Sequence, residues 1–288
     1  MKNKKNTPIP LNFAERQKQQ TLTETLKKGY NEDEIEQKDS TTYTKYYLED
    51  IEKYKEQLKG SDGNAWGQIR EINSSAALAV YYHIMLNPQE LCFEKKVGVP
   101  LKKSSKEANL DVKYKDGEET VYVESKFLEP FYSRNEDVNM SYLEQQRYPN
   151  MSEEEKNKWK ELIIDSQKYR FYDFTQLCRH LMALYRCQHE GSNKMTKIKL
   201  IALSWIPSDS FFESMKIIYP QRVSFFRKRL EIILQEKEEA DKQIKKFLKE
   251  IGWESMTFET KTYNDKEVIK KIEGHSQFDE FKKRYFLD

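Results

Sequence analysis

The stretch NLDVKYKDGEETVYVESKFLEP, residues 109–130, decides the fold of the chain. Residues 108–114 and residues 120–128 alternate between apolar and polar side chains, and many of the apolar ones are β-branched or aromatic. Alternation with a period of two predicts strands. Asp116-Gly117, which lies between the two runs, predicts a tight turn. The stretch therefore predicts a β-hairpin.

The register of this hairpin decides which charged side chains share a face. A two-residue loop at the turn would place Asp111 opposite Tyr122, whereas a four-residue loop would place it opposite Glu124. Both registers put Asp111, Glu124 and Lys126 on the same side of the sheet. A three-residue loop would separate them, so the prediction depends on the loop length.

These three charged side chains suggest a chemistry. Two neighbouring carboxylates repel each other, and each raises the pKa of the other. A divalent cation removes that conflict, and Mg²⁺ is commonly held by one or two carboxylates, water and substrate phosphate. Charged groups on a strand are more often simply solvated, but Glu124 and Lys126 lie inside an apolar run. The pattern favours a metal site at Asp111 and Glu124, beside which Lys126 could orient a water molecule or stabilise charge on a phosphate.

The spacing of these residues resembles a known signature. Asp111, twelve residues and then Glu124-Ser125-Lys126 are similar to the D-x(n)-E-x-K motif of the PD-(D/E)XK nuclease superfamily, and in particular to bacterial restriction endonucleases. Leu110 stands where the superfamily often has proline. The resemblance implies a DNA endonuclease in which Asp111, Glu124 and the backbone carbonyl of Ser125 hold Mg²⁺, with Mn²⁺ as a substitute. Lys126 would position or deprotonate the attacking water.

The order of the other predicted elements agrees with this resemblance. The predicted elements are a helix at residues 65–86, a strand at 91–97, the hairpin, a helix at 166–188 and a buried strand at 198–206. This is the αβββαβ order of the superfamily core. We therefore predict an α/β (α+β) fold in which helices flank a central mixed sheet, with helical additions at the N- and C-terminal ends.

Further site residues are implied by the same resemblance. Many of these nucleases carry an acidic residue on the helix before the hairpin, which makes Glu71 a candidate catalytic residue, although an exposed helix glutamate is the alternative. Glu94 on the first strand is a second candidate for this auxiliary carboxylate. Gln176, on the helix after the hairpin, could contact the substrate backbone or be an ordinary boundary residue. Arg134 lies in a polar connector whose side chains could read base edges or phosphates.

The remaining patterns divide the chain. Residues 1–60 predict an N-terminal helical extension, because apolar residues between 43 and 58 recur at helical spacing. Residues 61–288 would form the nuclease-like domain, with a long insertion at about 131–165 in which Ser152-x-x-Glu155 predicts the start of a helix. Residues 223–251 predict a long helix of interspersed charge with a solvated surface, followed by an edge strand at 256–263 and a closing helix at 278–287.

Composition bounds the remaining expectations. The 288 residues carry 50 Lys and Arg against 48 Asp and Glu, so the net charge of +2 predicts no strong overall field, and DNA would need a local basic groove. The three cysteines lack C-x-x-C spacing and predict reduced thiols. No apolar run approaches the ~20 residues of a membrane span, and the first residues lack a secretory signal, which favours a cytoplasmic protein without a membrane partner. Double-strand cleavage often uses a two-fold dimer, so a homodimer is an expectation.

Two alternatives stay open at the level of sequence. The first is a catalytically inactive nucleic-acid-binding module on the same fold. The second is a protein whose long helices bind a partner protein. Affinity that falls steeply with ionic strength would favour nucleic acid over a partner protein.

Overall fold

The computed structural model describes residues 13–39, 41–45, 48–59, 65–97, 108–132, 151–190 and 197–288. Its helices α1 to α11 are, in chain order, Phe13–Leu26, Lys55–Lys59, Ala65–Gln68, Ser75–Leu86, Glu129–Tyr132, Glu153–Ser166, Phe174–Glu190, Asp209–Ile218, Pro220–Glu250, Lys266–Lys270 and Phe278–Phe286. Its strands β1 to β7 are Ile35–Lys38, Thr41–Thr44, Gln89–Val97, Ala108–Asp116, Glu119–Lys126, Ile198–Ser204 and Met256–Thr262. Short 3₁₀ helices lie at Lys27–Gly29, Glu32–Glu34 and Glu49–Tyr54.

A five-stranded sheet with the order β3-β4-β5-β6-β7 forms the centre of the described residues. Strands β3, β4 and β5 pair antiparallel, and β6 and β7 run parallel to β5. Strand β6 therefore lies between two neighbours, as expected of a buried strand, and β7 lies at an edge. The order α4, β3, β4, β5, α7, β6 and the mixed sheet confirm the predicted fold class.

The β4–β5 hairpin has a tight turn. Only two residues, Gly117 and Glu118, separate the last pair, Asp116 with Glu119. Gly117 has a φ of +59°, a left-handed conformation that glycine adopts at no steric cost. The pairs continue to Val112 with Val123, so the next two residues along the strands are those of the predicted carboxylate pair.

Helices cover both faces of the sheet and enclose two hydrophobic cores. Buried residues of α1, α4, α8 and α11 belong to the first core, and those of α6 and α7 belong to the second. The long helix α9 serves both, because Phe226 and Ile233 lie in the first core while Ile244 and Phe247 lie in the second. The expectation of a solvated helix is therefore wrong for the face of α9 that carries these buried residues.

The N-terminal segment differs from the predicted helix. Strands β1 and β2 form a hairpin that pairs Ile35 with Thr44, and a 3₁₀ helix and the short α2 follow. The run Thr41-Thr42-Tyr43-Thr44 consists of β-branched and aromatic residues, which favour strands when a partner strand is available. A single continuous helix over residues 43–58 was the wrong prediction.

Residues near the beginning and the end of the described chain share one core. Leu22 and Leu26 of α1 are buried in the same cluster as Phe281 and Phe286 of α11. Arg284 of α11, which is also buried, donates a hydrogen bond to the Thr44 hydroxyl. A domain boundary at residue 60 stays a prediction.

The helix predicted before the sheet is interrupted. Helix α3 ends at Gln68, and α4 begins only at Ser75, where the Ser74 hydroxyl caps it. Between them the chain turns and pairs with β2, where Glu71 forms a bridge with Tyr43. Glu71 therefore lies in a turn against the N-terminal hairpin, and its predicted position on a helix is wrong.

The predicted insertion is described in part. Helix α6 begins with a capping box in which Ser152 and Glu155 exchange hydrogen bonds, as the sequence predicted. Arg134 and its neighbours up to residue 150 lie outside the described residues. Among the residues that are described, no helix combines the length and the apolar composition needed to cross a membrane.

Candidate active site

The candidate site lies where β4 and β5 part. Their ladder ends at the pair Val112 with Val123, although β4 continues beside β3 and β5 continues beside β6. The backbone N–H of Ser125 donates instead to Oδ2 of Asp111, at 2.6 Å. The Asp111 carboxylate thus satisfies a strand N–H at the point where its neighbouring strand leaves the ladder.

Glu124 is a buried carboxylate with a lysine near one oxygen and a histidine near the other. Its side chain is almost fully buried. Oε1 lies 2.9 Å from Nζ of Lys126, and Oε2 lies 2.9 Å from Nε2 of His180. Burial on its own would raise the pKa of Glu124, but Lys126 and His180 outweigh it and hold the pKa below its usual range. Glu124 is therefore ionised at neutral pH.

Asp111 has the opposite electrostatic character. Burial raises its pKa well above the ordinary range, and the charges of Glu124 and Glu94 raise it further. Lys126 and the Ser125 N–H act against this rise without cancelling it. Asp111 therefore keeps its proton to a higher pH than an ordinary aspartate, because burial and then the charge of Glu124 disfavour its ionised form.

A third carboxylate belongs to the same neighbourhood. Glu94 on β3 accepts a hydrogen bond from the Asn109 side chain of β4 and has a φ of +52°, which interrupts the regular strand. Glu94, Asp111 and Glu124 come from three adjacent strands. Because its charge acts on the pKa of Asp111, Glu94 lies within electrostatic range of the site.

Lys126 is fixed among acceptors. Besides its contact with Glu124, its ammonium group donates to Oε1 of Gln176 at 2.6 Å and lies 3.8 Å from Oδ2 of Asp173. Burial lowers the pKa of Lys126, but the surrounding carboxylates, Glu124 first, raise it above the value of a free lysine. The ammonium can donate hydrogen bonds but cannot accept a proton, which favours the positioning role over deprotonation of water.

Helix α7 supplies the side chains that hold Glu124 and Lys126. Asp173 caps its first turn, because Oδ1 accepts the backbone N–H of Gln176 at 3.1 Å. Gln176 and His180 are four residues apart and therefore lie on one face of the helix. Neither His180 nor Asp173 was predicted as a site residue, although the four-residue spacing of His180 from Gln176 is visible in the sequence and was a usable signal.

The opposite face of β5 is also anchored. The Ser125 hydroxyl lies 2.7 Å from the hydroxyl of Tyr263, just beyond β7, and both side chains are buried. The backbone N–H of Phe127 donates to Oε2 of Glu129 at 2.9 Å. These contacts fix the end of β5 that carries the candidate site.

A small pocket opens beside Glu124 and Lys126. The other residues that line it are Tyr172, Asp173, Leu177, Ala202 and Ser204. The beginning of α7 and the end of β6 thus form one wall of the pocket, and the charged side chains of Glu124 and Lys126 line it.

The structure brings together most of the predicted site residues. Asp111, Glu124, Ser125, Lys126 and Gln176 form one connected group. Glu71 is instead paired with the N-terminal hairpin, and Arg134 lies outside the described residues.

The oxygen atoms of the candidate site are suited to a divalent cation. Asp111, Glu124 and the carbonyl of Ser125 offer hard oxygen donors, and the raised pKa of Asp111 marks a conflict that a cation would relieve. No group of three or more His, Cys, Asp or Glu side chains arranged to hold a metal occurs in the described residues. A cation held by these oxygen donors would take its other ligands from water or substrate oxygens, as Mg²⁺ commonly does.

The mixed five-stranded sheet with flanking helices agrees with the fold class that the resemblance implied. The chain matches the family model described as "Restriction Endonuclease associating with ARP" over residues 12–204, more than half of its length, and it belongs to that family. No curated protein and no solved structure gives a significant match.

Proposed function

We propose that the protein is a Mg²⁺-dependent endodeoxyribonuclease of the restriction type. The observation that carries the proposal is the meeting of Asp111 and Glu124 where β4 and β5 part, with Lys126 held beside them. Membership of the restriction-endonuclease family supports a nuclease-like role. Asp111, Glu124 and the Ser125 carbonyl would hold the metal, and Mn²⁺ would substitute for Mg²⁺.

Each residue of the site would have a separate role in phosphodiester hydrolysis. The metal, when bound, would polarise the scissile phosphate and make water a better nucleophile. Lys126 would orient that water and offset charge on the phosphate, because its ammonium is fixed by Glu124 and Gln176. His180 would keep Glu124 oriented through its 2.9 Å contact.

Auxiliary residues and partners would complete this activity. Of the two candidate auxiliary carboxylates, Glu94 is favoured over Glu71 because it acts on the pKa of Asp111. Gln176 and Arg134 would contact DNA. A homodimer would serve cleavage of both strands in the cytoplasm, and the family's description adds association with ARP as a proposed partnership.

The test compares cleavage of a supercoiled plasmid by the wild type, Lys126→Ala and Lys199→Ala. Lys199 is a matched control, because it also lies on a central strand and forms an ion pair, with Glu119 at 2.9 Å. We expect cleavage with Mg²⁺ or Mn²⁺ but not with EDTA, a loss of at least about 100-fold in Lys126→Ala and little change in Lys199→Ala. Equal cleavage by the wild type and Lys126→Ala, or cleavage in EDTA, would overturn the proposal. DNA binding without cleavage would identify a binding module instead.

A further inference from the structure

Helix α9 accepts hydrogen bonds from the loop that precedes α7. The carboxylate of Glu236 accepts three consecutive backbone N–H groups, from Arg170 at 2.9 Å, Phe171 at 2.8 Å and Tyr172 at 2.9 Å. Hydrogen bonds to an ionised acceptor are roughly twice as strong as those between neutral groups. One side chain thus fixes three successive peptide units of the loop.

A second residue of α9 holds the same loop. The guanidinium carbon of Arg229 lies 3.4 Å from the ring centroid of Phe171, a close cation–π contact. Arg229 and Glu236 are seven residues apart, so they lie two turns apart on one face of the helix. The loop is therefore held at two points along α9.

The loop leads directly into the candidate site. Tyr172 lines the pocket beside Glu124 and Lys126. The next residue, Asp173, caps α7 and lies 3.8 Å from Nζ of Lys126, and Gln176 in the first turn accepts a hydrogen bond from that nitrogen. A continuous series of contacts thus connects Glu236 to the Lys126 ammonium.

We propose that Glu236 is a positioning residue that fixes Lys126 through the loop and the first turn of α7. Its carboxylate does not touch the reacting atoms. Removing it leaves three neighbouring N–H groups without their acceptor, so the loop must rearrange to find other partners. Asp173 and Gln176 would move with the loop, and Lys126 would lose its fixed orientation. The expected effect on catalysis rests on the proposed function, whereas the effect on Lys126 itself does not.

The first test reads Lys126 directly in protein with isotope-labelled lysine. The side-chain NMR signal of Lys126 is assigned by its loss in Lys126→Ala and then followed in Glu236→Ala, Glu236→Gln and Glu238→Ala. Glu238 is a matched control, because it is exposed on the same helix and forms its ion pair within that helix, with Lys242 at 2.6 Å. We expect Glu236→Ala to shift or broaden the Lys126 signal, Glu236→Gln to do so less because it keeps one acceptor oxygen, and Glu238→Ala to leave it unchanged. An unchanged Lys126 signal in folded Glu236→Ala would overturn the proposal.

The second test is kinetic and uses the same variants at a temperature where denaturation curves show all of them to be folded. Glu236→Ala should lower kcat by about 10- to 100-fold and change KM by a smaller factor, because the orientation of Lys126 is lost while only the Gln176 contact with DNA is disturbed. Glu236→Gln should recover part of kcat. A wild-type kcat in Glu236→Ala would overturn the inference, whereas a wild type that cleaves nothing would overturn the proposed function and leave the NMR result to decide the inference.

Discussion

Replacing Asp111 with asparagine should make the protein more stable at neutral pH while abolishing metal binding. Asp111 lies close to the charges of Glu124 and Glu94, and burial and these charges raise its pKa. Asparagine keeps a side-chain oxygen that can accept the Ser125 N–H, which Asp111 accepts at 2.6 Å, but it carries no charge. The variant should therefore retain the local geometry and lose the repulsion.

The magnitude follows from proton linkage. The pKa of Asp111 is higher in the folded than in the unfolded protein, so between these two values the folded protein holds a proton that the unfolded chain has lost. Stability then falls as pH rises, by up to about 1.4 kcal/mol for each pH unit in that window, and stays reduced above the folded pKa. Asp111→Asn lacks this loss, so its advantage over the wild type should grow through the window and then level off.

Urea denaturation in EDTA, at intervals from about pH 4.5 to pH 8.5, measures this difference. Asp116→Asn is the control, because Asp116 is exposed at the turn end of the same strand. In a parallel series with Mg²⁺ in place of EDTA, the ion should stabilise the wild type and the control but not Asp111→Asn. Curves for the wild type and Asp111→Asn that run parallel across the whole pH range would refute the reasoning.

Three further predictions concern the partners of the site and the core. His180→Leu should lower the free energy of unfolding, measured in urea, by about 1 to 3 kcal/mol, because it removes a neighbour of the buried Glu124. As a control, His189→Leu at an exposed position of the same helix should lower the free energy of unfolding by less than about 0.5 kcal/mol. Mg²⁺ binding should release protons and become tighter as pH rises, because Asp111 must ionise to bind the ion. Calorimetry should therefore give binding heats that differ between buffers of different ionisation enthalpy. Identical heats in all buffers would contradict this prediction. Arg284→Ala should cost about 1 to 3 kcal/mol and expose the N-terminal hairpin to protease, since its buried guanidinium bonds the hairpin; protease resistance equal to the wild type would argue against that role.

The centre of the fold could be predicted from the sequence because its signals are local. The period of two in residues 108–128 and the turn signal at Asp116-Gly117 indicate the hairpin. Loops of two and of four residues both place Asp111, Glu124 and Lys126 on one side of the sheet. The buried strand at 198–206 and the helices around it follow from their apolar patterns. The grouping of Asp111, Glu124 and Lys126 depends on nothing more distant than this hairpin.

The remainder depends on contacts between distant segments. The strand β2 exists because β1 and the turn around Glu71 supply partners, and neither is visible in the spacing of residues 43–58. Asp173 and His180 become site residues only when α7 packs against β5. The mixed charge of α9 is that of a solvated helix, yet Glu236 on it is satisfied by the backbone of another segment. Such contacts between distant segments cannot be predicted from composition or periodicity.

The sharing of one core by α1 and α11 has a consequence for synthesis. During translation, the acids and the lysine of the β4–β5 hairpin leave the ribosome long before α9 and α11 do. Until then the loop before α7 lacks its Glu236 anchor, and the first core lacks Phe281 and Phe286. A nascent chain would thus carry these side chains without the contacts that order them until α9 and α11 have emerged.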